Sequence, residues 1–148
     1  MSTRFFVSLK ELLVNLSTKV ITCQLVNLST RQLKIPMRIL IINPGSTSTK
    51  LAVYEDGKPV WQSGAHHPSH ELVDFHSATE QYEYRMEFVR KRLADANVDI
   101  HFDAIIARGG LTKPLEGGVY KVNEQMKYDL RHAQMDHACN LGGLIASE

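Results

Sequence analysis

Arg38-Ile39-Leu40-Ile41-Ile42-Asn43-Pro44-Gly45-Ser46-Thr47-Ser48-Thr49-Lys50-Leu51-Ala52-Val53-Tyr54-Glu55 is the stretch on which the fold turns. Arg38 to Asn43 is a short, nearly continuous apolar run ending in a turn signal, the pattern of a central strand buried on both faces. Lys50 to Glu55 reads as a second strand. Asp56-Gly57 is a strong hairpin signal leading into a third strand, Lys58 to Ser63. The domain therefore opens with an antiparallel meander.

Toward the C-terminus, His66 to His76 reads as loop, with His67-Pro68 marking an extended break. His66, His67, His70 and His76 have no helical register and are expected to be solvated, not metal ligands. Ser77-Ala78-Thr79-Glu80 fits a capping box. Tyr82, Met86, Val89, Leu93 and Ala96 then share one helix face, and Asn97 suits a left-handed stop. Asp103 to Ala107 reads as a buried strand running into Arg108-Gly109-Gly110. Gly118 to Val122 suits a short edge strand. Asn123 caps a helix to about Ala133, and His137 to Ser147 starts another. The order β-β-β-α-β followed by helices predicts an α/β domain with a mixed sheet. The apolar run Leu141 to Ile145 meets no helix-ending signal before Glu148, so a truncated domain is expected, with Leu141, Leu144 and Ile145 left uncovered.

Toward the N-terminus the character changes. Residues 1–36 hold five basic residues and one acid; the remainder holds twelve and fifteen, with all seven histidines, all nine glycines and Trp61. Leu13-Val14-Asn15-Leu16-Ser17-Thr18-Lys19 returns as Leu25-Val26-Asn27-Leu28-Ser29-Thr30-Arg31, too few copies for a solenoid. The basic, Ser/Thr-rich, acid-poor composition suits a transit peptide. A start assigned ahead of a true Met37 and a short accessory helix or strand are the other readings. Residues 1–36 are expected to be a leader or a mis-assigned start, outside the fold of residues 37–148.

The chain as a whole has 148 residues and a formal net charge of +1. That length predicts one domain, and that charge argues against a dedicated nucleic-acid binder. No stretch approaches the ~20 apolar residues of a membrane span. Cys23 and Cys139 lack a CxxC partner, which excludes a cysteine zinc site or a disulfide framework and suits the cytoplasm.

Asn43 to Lys50 carries the chemistry. Glycine lets the backbone approach a ligand, the hydroxyls and amides offer donors to phosphate oxygens, and lysine adds charge. A Walker A loop is excluded, because the second glycine is missing and a strand follows. An ordinary Ser/Thr-rich hairpin remains an alternative. A hairpin cradling phosphate is also the device of the actin, Hsp70 and sugar-kinase superfamily.

The stretch Ile41 to Lys50 resembles the first signature of the acetate and butyrate kinase family, N-x-G-S-[ST]-[ST]-x-K. Ala107-Arg108-Gly109-Gly110-Leu111, Pro114-Leu115-Glu116-Gly117-Gly118-Val119-Tyr120 and His137-Ala138-Cys139-Asn140-Leu141-Gly142 resemble the butyrate kinase branch in particular. The resemblance covers residues 37–148 and none of 1–36. It implies the first of two ribonuclease H-like α/β domains, here incomplete. It also implies transfer of the γ-phosphoryl group of ATP onto a short-chain carboxylate to give an acyl phosphate, with Mg²⁺. Asn43 would lie near metal and phosphates; Gly45, Ser46, Ser48 and Lys50 would contact nucleotide phosphate. Arg108, Gly109 and Gly110 would meet the substrate, and Arg108 and His137 would serve the transition state. In the acetate kinase branch that arginine stands further from the paired glycines, which puts the role of Arg108 in question. Arg108 as a structural ion pair, and His137 as a helix cap, remain alternatives. The full-length family protein is expected to be homo-oligomeric, and this fragment alone inactive. A nucleotide-binding module without carboxylate kinase activity, or a non-functional gene fragment, is the competing reading.

Overall fold

The computed structural model describes residues 4–8, 37–116 and 118–148. Strands β2 (Arg38–Pro44), β3 (Ser48–Glu55) and β4 (Lys58–His66) form the expected meander, each pair antiparallel. The β3–β4 turn holds Asp56 at φ 49° and Gly57 at φ 80°, the two positive angles of a type I′ hairpin. A short helix α1 (Ser69–Leu72) and a 3₁₀ turn (Thr79–Gln81) lead into α2 (Tyr82–Asp95). Strand β5 (Ala104–Arg108) returns parallel to β2, as a strand–helix–strand crossover requires. Strand β6 (Gly118–Lys121), α3 (Glu124–Arg131) and α4 (Asn140–Ala146) complete the order.

The caps follow the sequence. The Ser77 hydroxyl accepts from the Glu80 amide at 3.2 Å, and the Glu80 carboxylate reaches back to the His76 amide at 2.8 Å, one residue before the expected partner. Asn97 ends α2 at φ 49°, and the Val98 amide closes back on the Leu93 carbonyl at 2.9 Å, a Schellman closure. Asn123 accepts from the Met126 amide at 2.8 Å at the start of α3.

The sheet is mixed and six-stranded, in the order β4-β3-β2-β5-β1-β6. Its additional strand, β1 (Arg4–Ser8), comes from the segment expected outside the fold; it lies antiparallel to β5 and parallel to β6. The rest of that segment, including the internal repeat, lies outside the described residues.

One face of the sheet is packed; the other is less buried among the described residues. Leu40, Ile42, Leu51, Val53, Ile105 and Ala107 meet Met86, Val89 and Leu93 of α2 and Leu141, Leu144 and Ile145 of α4. Ile39, Ile41, Ala52 and Ile106, on the opposite side, are only half-buried, so β2 is not buried on both faces as expected. The expectation of exposed apolar surface on the last helix is corrected too. Leu141, Leu144 and Ile145 are all buried, because α4 is covered on several sides, by β1, β2, β5 and α3, and every residue from Asn140 to Ala146 is buried. Ala96, expected on the core stripe, is exposed beyond the end of α2. Among the described residues no helix is long and apolar enough to cross a membrane.

Candidate functional site

Side chains paired across neighbouring strands point to the same face. Gly64 pairs with Lys50, and Lys50 with Asn43. The parallel β2–β5 register runs Ile41 to Ile106 and Ile42 to Ala107, which brings Arg108 beside Asn43 one step further on. Gly64, Lys50, Asn43 and Arg108 thus form a row across four strands on the less buried face. Strands lie about 4.8 Å apart, so this row spans roughly 14 Å. It crosses the carboxyl ends of the parallel pair β2 and β5, the place where open α/β sheets hold ligands. Asn43, Lys50 and Gly64 line an open concavity of about 480 Å³. Neither Lys50 nor Arg108 has an ion-pair partner among the described residues, so the structure gives no support to Arg108 as a structural ion pair.

Two close approaches tie the motif stretches together. A β-carbon on Gly142 would stand 2.7 Å from the Arg108 carbonyl oxygen and 3.5 Å from Pro44 Cδ. One on Gly110 would stand 2.6 Å from Asn140 Cα. The loop start, Arg108-Gly109-Gly110 and the first turn of α4 therefore meet at one place. Buried Asn140 holds the junction: its Oδ1 accepts from the Leu111 amide at 2.7 Å and its Nδ2 donates to the Met135 carbonyl at 3.0 Å. His137 is exposed and its Nδ1 accepts from the Cys139 amide at 3.1 Å, just ahead of α4, whose N-cap residue Cys139 has no side-chain cap. With Nδ1 accepting, the neutral tautomer carries its proton on Nε2. Burial pushes the Cys139 thiol up, against a smaller opposing effect of Arg108, so the thiol is not an activated nucleophile.

The loop Gly45–Thr47 has exposed Ser46 and Thr47 at its tip, and Gly45 donates to the Ser48 carbonyl at 2.7 Å. Under it lies a polar cluster that the sequence reading missed. Arg85, fully buried on α2, donates from Nη2 to the Ser46 carbonyl at 2.8 Å. Its Nη1 donates to the Ser48 carbonyl at 3.1 Å and to Thr49 Oγ1 at 3.0 Å, and Nε and Nη2 both reach Gln81 Oε1.

His67 is 1% exposed, not solvated as expected; His66, His70 and His76 are exposed. Its Nε2 lies 2.8 Å from Thr49 Oγ1 and its Nδ1 3.0 Å from the Tyr84 hydroxyl, which donates to Glu71 at 2.5 Å. Burial, then Glu71, push the Tyr84 phenol up to about 12, so it keeps its proton. The neutral ring therefore donates from Nδ1 to Tyr84 and accepts at Nε2 from Thr49. Burial, then Arg85, hold the His67 imidazole down at about 4. Two signals in the sequence marked these residues. Arg85 is a charge at helical spacing inside the apolar stripe, and Trp61, Ser63, Ala65 and His67 continue the period of two that sends side chains inward.

Among the described residues no three His, Cys, Asp or Glu side chains gather as a metal centre. Asn43 offers a single amide oxygen. That suits Mg²⁺, which keeps several waters and is commonly carried by substrate phosphates, not by an all-protein cage.

No family model matches the chain. A probable butyrate kinase of Phocaeicola vulgatus is 61% identical to it over 112 residues, which are 76% of this chain and 32% of that protein. A probable butyrate kinase of Bacteroides thetaiotaomicron is 52% identical over 112 residues, with the same coverage. Butyrate kinase 2 of Clostridium acetobutylicum is 48% identical over 112 residues, 74% of this chain and 32% of that protein. The chain spans about a third of the length of these relatives.

Proposed function

Because its 112 matched residues belong to the butyrate kinase family, we propose that the chain carries the phosphate-holding part of a carboxylate kinase. The whole protein would transfer the γ-phosphoryl group of ATP reversibly to butyrate or a similar short-chain acid. A carboxylate oxygen attacks the γ-phosphorus, the bond to the β–γ bridging oxygen breaks, and ADP and an acyl phosphate separate. The observation that carries this reading is the row Lys50–Asn43–Arg108 beside the loop.

Such a transfer needs positioning and neutralised charge more than covalent help from the protein. Lys50 and the Gly45, Ser46 and Ser48 groups would hold nucleotide phosphate. Arg108, with Gly109 and Gly110 leaving room, would face the carboxylate. His137, with its proton on Nε2, would donate to an equatorial oxygen. Asn43 would hold Mg²⁺, which supplies neutralisation of phosphate charge when bound. The ribonuclease H-like description of the sheet, a cytoplasmic setting and a homo-oligomeric whole protein belong to the same proposal. So does a kinase portion beginning at Met37: the matched length equals that of residues 37–148.

The test is Lys50→Ala in the protein extended to the length of its relatives, with acyl phosphate trapped by hydroxylamine. Turnover should fall by about 10²–10³, the scale of one preorganised donor. Wild-type turnover in Lys50→Ala would remove that assignment. A wild-type protein that binds ATP without forming acyl hydroxamate would favour a nucleotide-binding module instead.

A further inference from the structure

We infer that Arg85 is a positioning residue that shapes the Gly45–Ser48 loop into an anion seat from its buried side, without touching the ligand. The inference rests on the reading of that loop as a phosphate site.

Every N–H of the guanidinium is engaged: Nε by Gln81, Nη1 by Ser48 and Thr49, Nη2 by Ser46 and Gln81. Two of these acceptors are carbonyls of the loop. The intervening carbonyl, of Thr47, accepts from the His67 amide at 2.7 Å. Three successive loop carbonyls are thus held by Arg85 or by the residue beside it. A trans peptide is planar, so its N–H points opposite its carbonyl. The Thr47 amide is accordingly turned away from Arg85, and the Ser48 amide away from the His67 amide. The Ser46 and Thr47 amides make no hydrogen bond among the described residues. The Thr47 amide is thus both free and turned from Arg85, and with the exposed Ser46 and Thr47 hydroxyls beside it offers an anion a set of donors.

The charge argues in the same direction. Arg85 is fully buried, and among the described residues no carboxylate pairs with it. A buried cation is costly without a counter-charge, and its acceptors here are all neutral. An anion seated across the loop would supply that counter-charge at a distance of one peptide layer. Lysine could not replace the arginine. It has three donors on a single nitrogen and cannot span Ser46, Ser48 and Gln81 at once.

The experiment follows the Ser46, Thr47 and Ser48 amide resonances of the 148-residue chain during titration with inorganic phosphate. The wild type, Arg85→Lys, Arg85→Met and Lys50→Ala are compared. Wild-type loop amides should shift saturably. Arg85→Lys should bind phosphate about tenfold more weakly or worse, although it keeps the charge, the scale of losing charge-assisted hydrogen bonds. Its free-state loop resonances should move while those of the core stay in place. Lys50→Ala should also lose affinity, but with free-state loop resonances unchanged. If Arg85→Met does not fold, Arg85→Lys decides the matter. A folded Arg85→Lys with phosphate affinity within twofold of wild type would overturn the inference, as would wild-type loop amides that ignore phosphate.

The kinase reading fails separately. In the longer protein, Arg85-dependent phosphate binding without acyl hydroxamate would leave the anion seat standing and remove the kinase. Wild-type hydroxamate formation in Arg85→Lys would do the reverse.

Discussion

Gly110 shows how narrowly single residues are specified at the junction of the motif stretches. A β-carbon there would press on Asn140 Cα and on Leu130 Cδ2, at 2.6 and 2.8 Å. One of those atoms is backbone and cannot swing aside. Gly110→Ala should therefore cost about 1–3 kcal/mol, the usual cost of overpacking, read as a lower urea midpoint. His67 makes a second prediction at this scale. Its folded-state value of about 4 lies below the ordinary 6.5, so on acidification the unfolded chain takes the proton first. The stability associated with the neutral ring is complete above pH 6.5 and drains away as pH falls toward 4. The slope should reach at most about 1.4 kcal/mol per pH unit, one proton's worth. Urea unfolding at stepped pH should show this slope in the wild type and lose it in His67→Gln. Asn43 and Lys50 could be set side by side from the sequence because they belong to one hairpin; Arg108, on a separate strand, was named only through the resemblance. Arg85 and His67 were not legible, because what gives them meaning is a carbonyl or hydroxyl contributed by a distant element.

At the scale of elements, caps and turns were read almost residue by residue, since a cap is a contact across three positions of one chain. Asn123 is such a case. Its side chain takes the Met126 amide at an exposed helix start. Asn123→Ala should destabilise the protein by about 1 kcal/mol, measurable by thermal melting, with no change in phosphate binding. The last helix was misjudged for the opposite reason. Leu141, Leu144 and Ile145 announce an apolar surface, but what covers it depends on how β2, β5 and α2 are laid out. The less buried face of β2 was missed likewise. An unbroken apolar run cannot state whether one side of a strand is covered or two.

At the scale of the molecule, the described residues supply the Gly45–Thr47 loop and a polar row, while 112 residues amount to 32% of the relatives' length. Phosphoryl transfer has to hold donor, metal and acceptor in near contact, about 3–3.5 Å apart, and to exclude water. The 148-residue chain assayed by itself should therefore bind phosphate and yet yield no acyl hydroxamate from ATP and butyrate. Turnover comparable to that of the longer protein would contradict this. The N-terminal strand has a consequence of another kind. It occupies a seam between β5 and β6 and is joined to β2 only through residues 9–37. A strand joined covalently to its own sheet meets its seam at an effective concentration, and a second molecule's strand competes with it on that scale. Every other copy of the chain carries the same seam and the same strand. In crowded solution two molecules can trade strands reciprocally, linking into a dimer that needs no contact surface beyond the one each already has.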